Sequence, residues 1–317
     1  MALRVAIQMD PIESVDINGD TSFALAETAQ ARGASIFVYG PEHLSYKEGR
    51  VVARARPVTV QRVEGMPAII GEEREIDLAA DIDVVLMRQD PPFDMSYITA
   101  AHLLELLAGQ TLVLNDPAYV RSSPEKLFPM HFPELMPPTL ISRDPVAIAD
   151  FRTVHKDIIL KPLYGNGGAG VFRVKPDDSN YYSLLEMFME RSREPIVAQA
   201  FLPDVKYGDR RVILIDGEAV GAINRVPKEG ETRSNMHVGG VAMPVELNDA
   251  DIHISKTIGP ELRRRGQVLV GIDVIGDRLT EVNVTSPTGV QELKRFSGVD
   301  ATALFWDAVD RRLSASA

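Results

Sequence analysis

The sequence predicts an α/β protein whose first part carries a parallel sheet and whose later part has α+β character. Two observations support this. Apolar runs and helix-spaced segments alternate through the first third of the chain, and beyond a proline- and serine-rich break short apolar runs follow one another with turn signals between them.

Residues 5–9 form an apolar run that stops at Asp10-Pro11. Residues 20–32 space Phe23, Ala26, Ala29 and Ala31 as a helix would, up to Gly33, and 35–39 are apolar again. Residues 83–87, a helical stretch near 98–107 and residues 111–114 repeat that order, as parallel strands joined by helices do. The pattern breaks over 116–125 at Pro117, Ser122, Ser123 and Pro124, which sets a boundary between a domain at 1–122 and a second at 123–317. Strands are then expected at 158–163 and 171–175, a helix at 181–191, and strands at 196–201, 211–215 and 219–226. The last two are joined by the hairpin signal Asp216-Gly217. Residues 227–240 lack periodicity. A helix near 249–265, a hairpin of 268–275 with 279–284, and a helix over about 300–313 close the chain.

Composition narrows the function. The 317 residues carry 34 Lys plus Arg against 45 Asp plus Glu, a net charge of −11, 45% hydrophobic residues and no cysteine. That is the balance of an ordinary globular protein of about two domains. The acidic excess argues against binding a nucleic-acid backbone, which needs a basic face. No run approaches the roughly 18 apolar residues of a membrane span. The absence of cysteine excludes disulfides, thiolate metal sites and a cysteine nucleophile, and fits a cytoplasmic protein.

Two stretches carry chemistry. Gly165-Asn166-Gly167-Gly168-Ala169-Gly170 reads literally as a dinucleotide fingerprint, but the alternating residues that follow predict a strand where that motif needs a helix. It is therefore a loop between two strands, either a structural turn or a flap whose backbone N–H groups approach phosphate oxygens. Lys161, closing the preceding strand, favours the flap, since it can put a point charge on a phosphate. In the closing hairpin, a three-residue loop of Gly276, Asp277 and Arg278 pairs Ile275 with Leu279 and sets Asp273 opposite Glu281. Asn283 then shares their face, while Ile272, Val274, Val282 and Val284 face the core. Opposed carboxylates repel, and a divalent cation would relieve them. An all-oxygen set suits Mg²⁺ or Mn²⁺. The six histidines, at 43, 102, 131, 155, 237 and 253, show no pair at ligand spacing.

The order of these features resembles the ATP-grasp superfamily, and within it bacterial glutathione synthetases. The resemblance rests on Glu125-Lys126, Lys161-Pro162 with the glycine cluster, Gln199-Ala200-Phe201-Leu202, and the trio Asp273, Glu281 and Asn283. It extends through Met9-Asp10-Pro11, Asp20-Thr21-Ser22-Phe23-Ala24, the run from Met87 to Asp94, and Asn283-Val284-Thr285-Ser286-Pro287-Thr288-Gly289. It implies an ATP-grasp fold with a flexible flap and a mobile lid, divided into a small ATP-binding subdomain at 123–200 and a catalytic subdomain at 201–317. Lys126, Lys161, Gly165, Gly167, Gly168 and Asp209 would meet ATP, and Gln199 to Leu202 would frame its adenine. Asp273, Glu281 and Asn283 would hold Mg²⁺ or Mn²⁺. Arg211, Arg225 and Arg233 would act catalytically, the last from the lid at 227–240. Arg225, Asn283, Ser286, Thr288 and Gly289 would bind substrate. The implied reaction joins γ-glutamylcysteine to glycine through an acyl phosphate, in a cytoplasmic homotetramer with no nucleic-acid or membrane partner. Two positions depart from the family pattern: Tyr164 stands where an acidic residue is expected, and Lys228-Glu229 replaces a more neutral stretch. Rival readings are another ATP-grasp ligase, adding glutamate to a protein tail or joining D-alanines, and a nucleotide-binding module without catalysis.

Overall fold

The computed structural model describes residues 2–228, 230–231, 233–234 and 239–316. It opens as the apolar alternation predicts, with strand β1 (Arg4–Gln8), helix α1 (Thr21–Ala31) and strand β2 (Ser35–Tyr39). Asp20 caps α1, its carboxylate accepting the Phe23 N–H at 2.6 Å. An antiparallel meander follows, of β3 (Leu44–Lys47), β4 (Arg50–Val60), β5 (Ala68–Ile70) and β6 (Arg74–Asp77). Strand β7 (Val84–Met87), helix α2 (Met95–Glu105), strand β8 (Leu112–Leu114) and helix α3 (Pro117–Arg121) resume the alternation.

The first sheet runs β3-β4-β2-β1-β7-β8 with β5 and β6 on β4. Pairs β1–β2, β1–β7 and β7–β8 are parallel, whereas β2–β4 and the meander are antiparallel. The expected parallel sheet is thus the core of a mixed one, because residues 44–77 add a meander that the sequence pattern leaves unassigned.

Next come β9 (Thr139–Ser142), α4 (Pro145–His155), β10 (Ile158–Pro162), β11 (Phe172–Val174), α5 (Tyr181–Arg191) and β12 (Ile196–Ala200). They build a four-stranded antiparallel sheet in the order β11-β10-β12-β9. The chain finishes with β13 (Asp209–Ile215), β14 (Glu218–Val226), β15 (Val241–Val245), α6 (Asp249–Arg264), β16 (Leu269–Ile275), β17 (Arg278–Asn283), α7 (Val290–Ser297) and α8 (Ala301–Ser316). Its antiparallel sheet is ordered β15-β14-β13-β16-β17.

The apolar cores do not follow chain order. Two clusters mix first-sheet residues such as Ile7, Val85 and Leu114 with third-sheet residues such as Ile213, Val270 and Val282. Helix α8 binds the two together: Trp306 is buried against α1 and donates its indole N–H to the Leu25 carbonyl at 2.9 Å. The second sheet has its own separate cluster, Ile148, Ile158, Leu160, Val174, Tyr181, Leu185, Phe188, Ile196 and Ala198. Two sheets that share their apolar cores therefore carry a small sheet with a core of its own. Among the described residues no helix is long and apolar enough to cross a membrane.

Candidate functional site

Between the second and third sheets lies a partly open cleft. Its floor is one face of the third sheet, where antiparallel register lines up ionised side chains. Arg211 on β13 pairs with Asp273 on β16, Asp273 with Glu281 on β17, and Asp209 with Arg225 on β14.

The hairpin that carries the carboxylates corrects the expected turn. Ile275 pairs with Arg278 across a two-residue Gly276-Asp277 turn, not with Leu279. A bulge between Asp273 and Val274 then sets the register back by one, so Asp273 still faces Glu281. The extra residue, Thr280, donates its hydroxyl to the Asp273 carbonyl at 3.0 Å. Two one-residue departures cancel and preserve the acidic face.

The opposed carboxylates are neutralised by protein cations. Arg211 grips Asp273 with Nε at 2.6 Å and Nη2 at 3.1 Å, and Arg225 Nη2 reaches Asp273 at 3.0 Å and Asp209 at 2.5 Å. Glu281 meets Lys161 at 3.3 Å and Lys126 at 3.5 Å. Lys126 also donates to Glu125 and, at 2.5 Å, to the Gly165 carbonyl. Gly271 makes room for this packing, since a Cβ there would lie 2.9 Å from Arg211 Cδ.

Burial and charge set the ionisation. Burial opposes the charge of Asp273, but the two guanidiniums hold its carboxyl well below the usual range. Glu281 is likewise held down by Lys126 and Lys161 against burial. Asp209 is pushed up to about 6, because its burial outweighs the help of Arg225. Glu125 is raised by burial and by Glu281. Among the described residues, Arg225 Nε and Asp209 Oδ1 are buried without a hydrogen-bond partner, two polar atoms left for a ligand.

The second sheet forms the opposite wall. Gly165, Gly167 and Gly168 lie in the loop between β10 and β11, with φ at +61° for Gly167 and +82° for Gly168, a backbone only glycine adopts freely. Gln199, Ala200, Phe201 and Leu202 line the wall beyond. The Gln199 amide donates to the Thr139 hydroxyl at 2.9 Å, and the Arg173 guanidinium lies 3.6 Å from the Phe201 ring centroid. Arg233 also lines the cleft, its Nη1 3.5 Å from the Gly168 carbonyl. Ser234 beside it donates its hydroxyl to Asp209 at 2.9 Å. Of the departures noted in the sequence, Tyr164 stacks on Phe93 with centroids 6.1 Å apart, and Glu229 lies outside the described residues, as does His237.

Lys126, Lys161, Asp209, Asp273 and Glu281 thus meet in one cleft with the flap, the 199–202 segment and Arg233. Arg211 and Arg225 lie on the same face of the sheet but outside the cleft lining, joined to it through Asp273. Asn283 lies at the open end of the hairpin, where its amide donates to the Gly271 carbonyl at 3.2 Å. Ser286, Thr288 and Gly289 gather away from the cleft: the Ser286 hydroxyl donates to the Arg88 carbonyl at 3.1 Å, and the Thr288 carbonyl faces Arg211 Nη1 at 3.4 Å. Arg88 itself was not singled out by the sequence. It is buried, its guanidinium donates to the Ser22 hydroxyl and the Pro287 carbonyl, and burial lowers its pKa; Thr21 Oγ1, next to Ser22 in the chain, and Glu292 Oε2 are buried without hydrogen-bond partners among the described residues. The signal for Arg88 was its place in the Met87 to Asp94 run. Thr280 had none, because a bulge is not written in the hydropathy pattern.

Comparison with known proteins identifies the family of the chain. The description "Prokaryotic glutathione synthetase, N-terminal domain" matches residues 3–121, and "Prokaryotic glutathione synthetase, ATP-grasp domain" matches residues 125–298. The chain is 56% identical to the glutathione synthetase of Mesorhizobium japonicum over 98% of its own length and 99% of that protein. It is also 56% identical to that of Brucella melitensis, over 98% of this chain and 100% of the other. The crystal structure of D-cycloserine synthetase DcsG superposes with a TM-score of 0.68 at 15% identity, covering 98% of this chain and 99% of that one, a likeness of fold. With both of its parts matched and its full length shared with these relatives, the chain belongs to the prokaryotic glutathione synthetase family of ATP-grasp ligases.

Proposed function

We propose that this chain joins γ-glutamylcysteine to glycine at the expense of ATP, releasing glutathione, ADP and phosphate. The observation that carries the reading is the row of buried, mutually neutralised charges along the cleft floor, with Arg225 Nε and Asp209 Oδ1 left unpartnered. A carboxylate resists attack by an amine because oxide is a poor leaving group. Phosphorylation by ATP gives an acyl phosphate, which the glycine amine attacks, and phosphate then departs.

Phosphoryl transfer needs positioning and neutralised charge. Lys126 and Lys161, which balance Glu281 in the free chain, are placed to turn to the triphosphate under the Gly165–Gly170 flap. Among the described residues no group of three or more His, Cys, Asp or Glu side chains forms a metal cluster. Mg²⁺ commonly takes one or two carboxylates and completes its shell with substrate phosphates and water. Asp273 and Glu281, with the Asn283 amide oxygen on the same face, fit that donor set, and Mg²⁺ or Mn²⁺ bound there would supply charge neutralisation at the phosphates. Arg225 is our donor for the oxyanion of the second step; one such donor is worth about 3 to 4 kcal/mol in other enzymes. Arg211 orients Asp273, the carboxylate it shares with Arg225. Arg88, Thr21 and Glu292, with the Ser286, Thr288 and Gly289 segment, offer a guanidinium, a hydroxyl and a carboxylate to the zwitterionic γ-glutamyl end.

Acyl phosphates hydrolyse readily, so the flap and the 227–240 lid with Arg233 are assigned to excluding water. In the same reading, 1–122 supports the dipeptide, 123–200 covers the nucleotide, 201–317 forms the catalytic floor, and four copies assemble in the cytoplasm. The test is ADP and glutathione formation from the three substrates, with each omitted in turn. Nucleotide binding without ADP production from γ-glutamylcysteine and glycine would overturn the ligase reading. Glu281→Gln is expected to cut turnover more than about tenfold across a Mg²⁺ titration; near wild-type activity would remove Glu281 from the metal set.

A further inference from the structure

A second, smaller and narrow cavity adjoins the cleft and has no part in the chemistry above. It shares Glu125 and Asn166 with the cleft. Glu125 is bonded to Lys126, which holds the flap carbonyl of Gly165, so the cavity opens beside the phosphate end. Its walls come from four places. Pro91 and Phe93 belong to the loop after β7, Pro124 and Glu125 to the loop after α3, Leu163 and Tyr164 to the base of the flap, and Val284 follows β17. The Phe93 and Tyr164 rings lie nearly parallel, 17° apart, and Phe93 leans on the buried Tyr97 with centroids 5.2 Å apart.

We propose that this apolar slot receives the side chain of the dipeptide's reacting residue, a short uncharged group, and that Phe93 and Tyr164 limit the length it accepts. The inference rests on the ligase reading. For phosphoryl transfer the reacting carboxylate must touch the terminal phosphate, and the side chain of the same residue branches from the next carbon. That side chain must therefore enter a space adjoining the phosphate end of the cleft, which is where the slot opens. A CH₂–SH group meets apolar walls there. An anionic side chain would face Glu125 with no lysine or arginine among the residues lining the slot. Two of the lining rings, Phe93 and Tyr164, stack on each other from separate segments, so shortening either enlarges the slot while the floor charges stay in place.

The experiment measures kcat/KM for γ-glutamylcysteine, γ-glutamyl-α-aminobutyrate and γ-glutamylnorleucine with the wild-type chain, Tyr164→Phe, Tyr164→Ala and Phe93→Ala. A hydrophobic pocket discriminates by about tenfold or more per methylene. Tyr164→Ala and Phe93→Ala are accordingly expected to raise the norleucine-to-cysteine ratio at least about tenfold, while Tyr164→Phe keeps the wild-type ratio. Because the ratio is internal to each protein, a partly folded variant does not distort it. An unchanged ratio in both alanine variants overturns the inference. So does a uniform fall for all three dipeptides with a raised KM for ATP, which would make the rings a brace for the flap. A wild-type chain that forms no product with any dipeptide would instead overturn the ligase reading itself.

Discussion

The two walls of the cleft are built in opposite ways. The third sheet shares its apolar core with the first through two mixed clusters, and carries most of the buried charges, Lys161 on β10 and Lys126 completing the set. The second sheet packs on nine buried residues of its own, and offers mainly backbone, glycine and apolar side chains. A row of buried ions needs a wall that does not move, because each ion depends on a partner held at fixed distance in low dielectric. The proposed covering of a nucleotide asks instead for a wall free to shift as a unit, and a separate apolar core suits the second sheet to that role.

The largest effect on this contrast comes from removing the ion that holds the floor together. Asp273→Ala leaves Arg211 and Arg225 buried without their shared carboxylate, and breaking a buried pair from one side costs about 3 to 5 kcal/mol. The whole body is expected to lose stability, seen as a lower melting temperature by calorimetry and faster amide exchange in the first and third sheets together. Loss confined to the third sheet would mean that the two sheets do not share one cooperative core.

Leu160→Ala probes the other wall. Leu160 is fully buried between Phe172 and Ala198 across the second sheet, and a cavity of that kind costs about 2 to 5 kcal/mol. The expected loss is local. Exchange accelerates in β9, β10, β11 and β12 while β1, β13 and β16 keep wild-type protection, and the KM for ATP rises. Uniform acceleration across all three sheets would show that the small sheet is no separate unit.

How much of this could be read from the sequence follows from the same contrast. The parallel strands β1, β2 and β7 are buried on both faces, so they appear as unbroken apolar runs and were legible. Strand β4 was not, because Arg50, Arg54, Arg56 and Pro57 interrupt it and its partners lie in a meander whose order only pairing reveals. Helix α4 escaped notice for a related reason: Ile148 is its single buried residue, so it leaves little periodic trace. In the site, the acidic face of the hairpin was legible from alternation alone, although the turn was one residue shorter than expected. The counter-ions were harder to read. Arg211 and Arg225 reach Asp273 only through the register of β13 with β14 and β16, and Glu125 nears Glu281 only because the Val282 N–H bonds the Glu125 carbonyl at 2.9 Å. Spacing along a chain does not disclose such pairings.

The smallest effect tests how firmly α8 fastens the body. Asp300 stands at its start, accepting the Ala303 N–H at 3.0 Å, the Thr302 hydroxyl at 2.7 Å and the Lys294 ammonium at 2.7 Å. Partial burial works against its charge, but these donors prevail and hold its carboxyl at about 2. A carboxyl whose pKa is lower folded than unfolded adds stability above its unfolded value, near 4, and loses it as pH falls through the folded value. The wild-type chain is therefore expected to give up this contribution between about pH 4 and pH 2. Asp300→Asn removes the charge but keeps a capping oxygen. With the carboxylate one-third exposed, solvent screening limits the cost to about 1 kcal/mol at neutral pH. The difference in unfolding free energy between the two chains should shrink toward zero across that acid window. A gap that persists at pH 2 would mean that Asp300 acts through shape rather than charge, leaving Trp306, its apolar neighbours and the ion pairs of Arg32 and Arg312 to fasten α8.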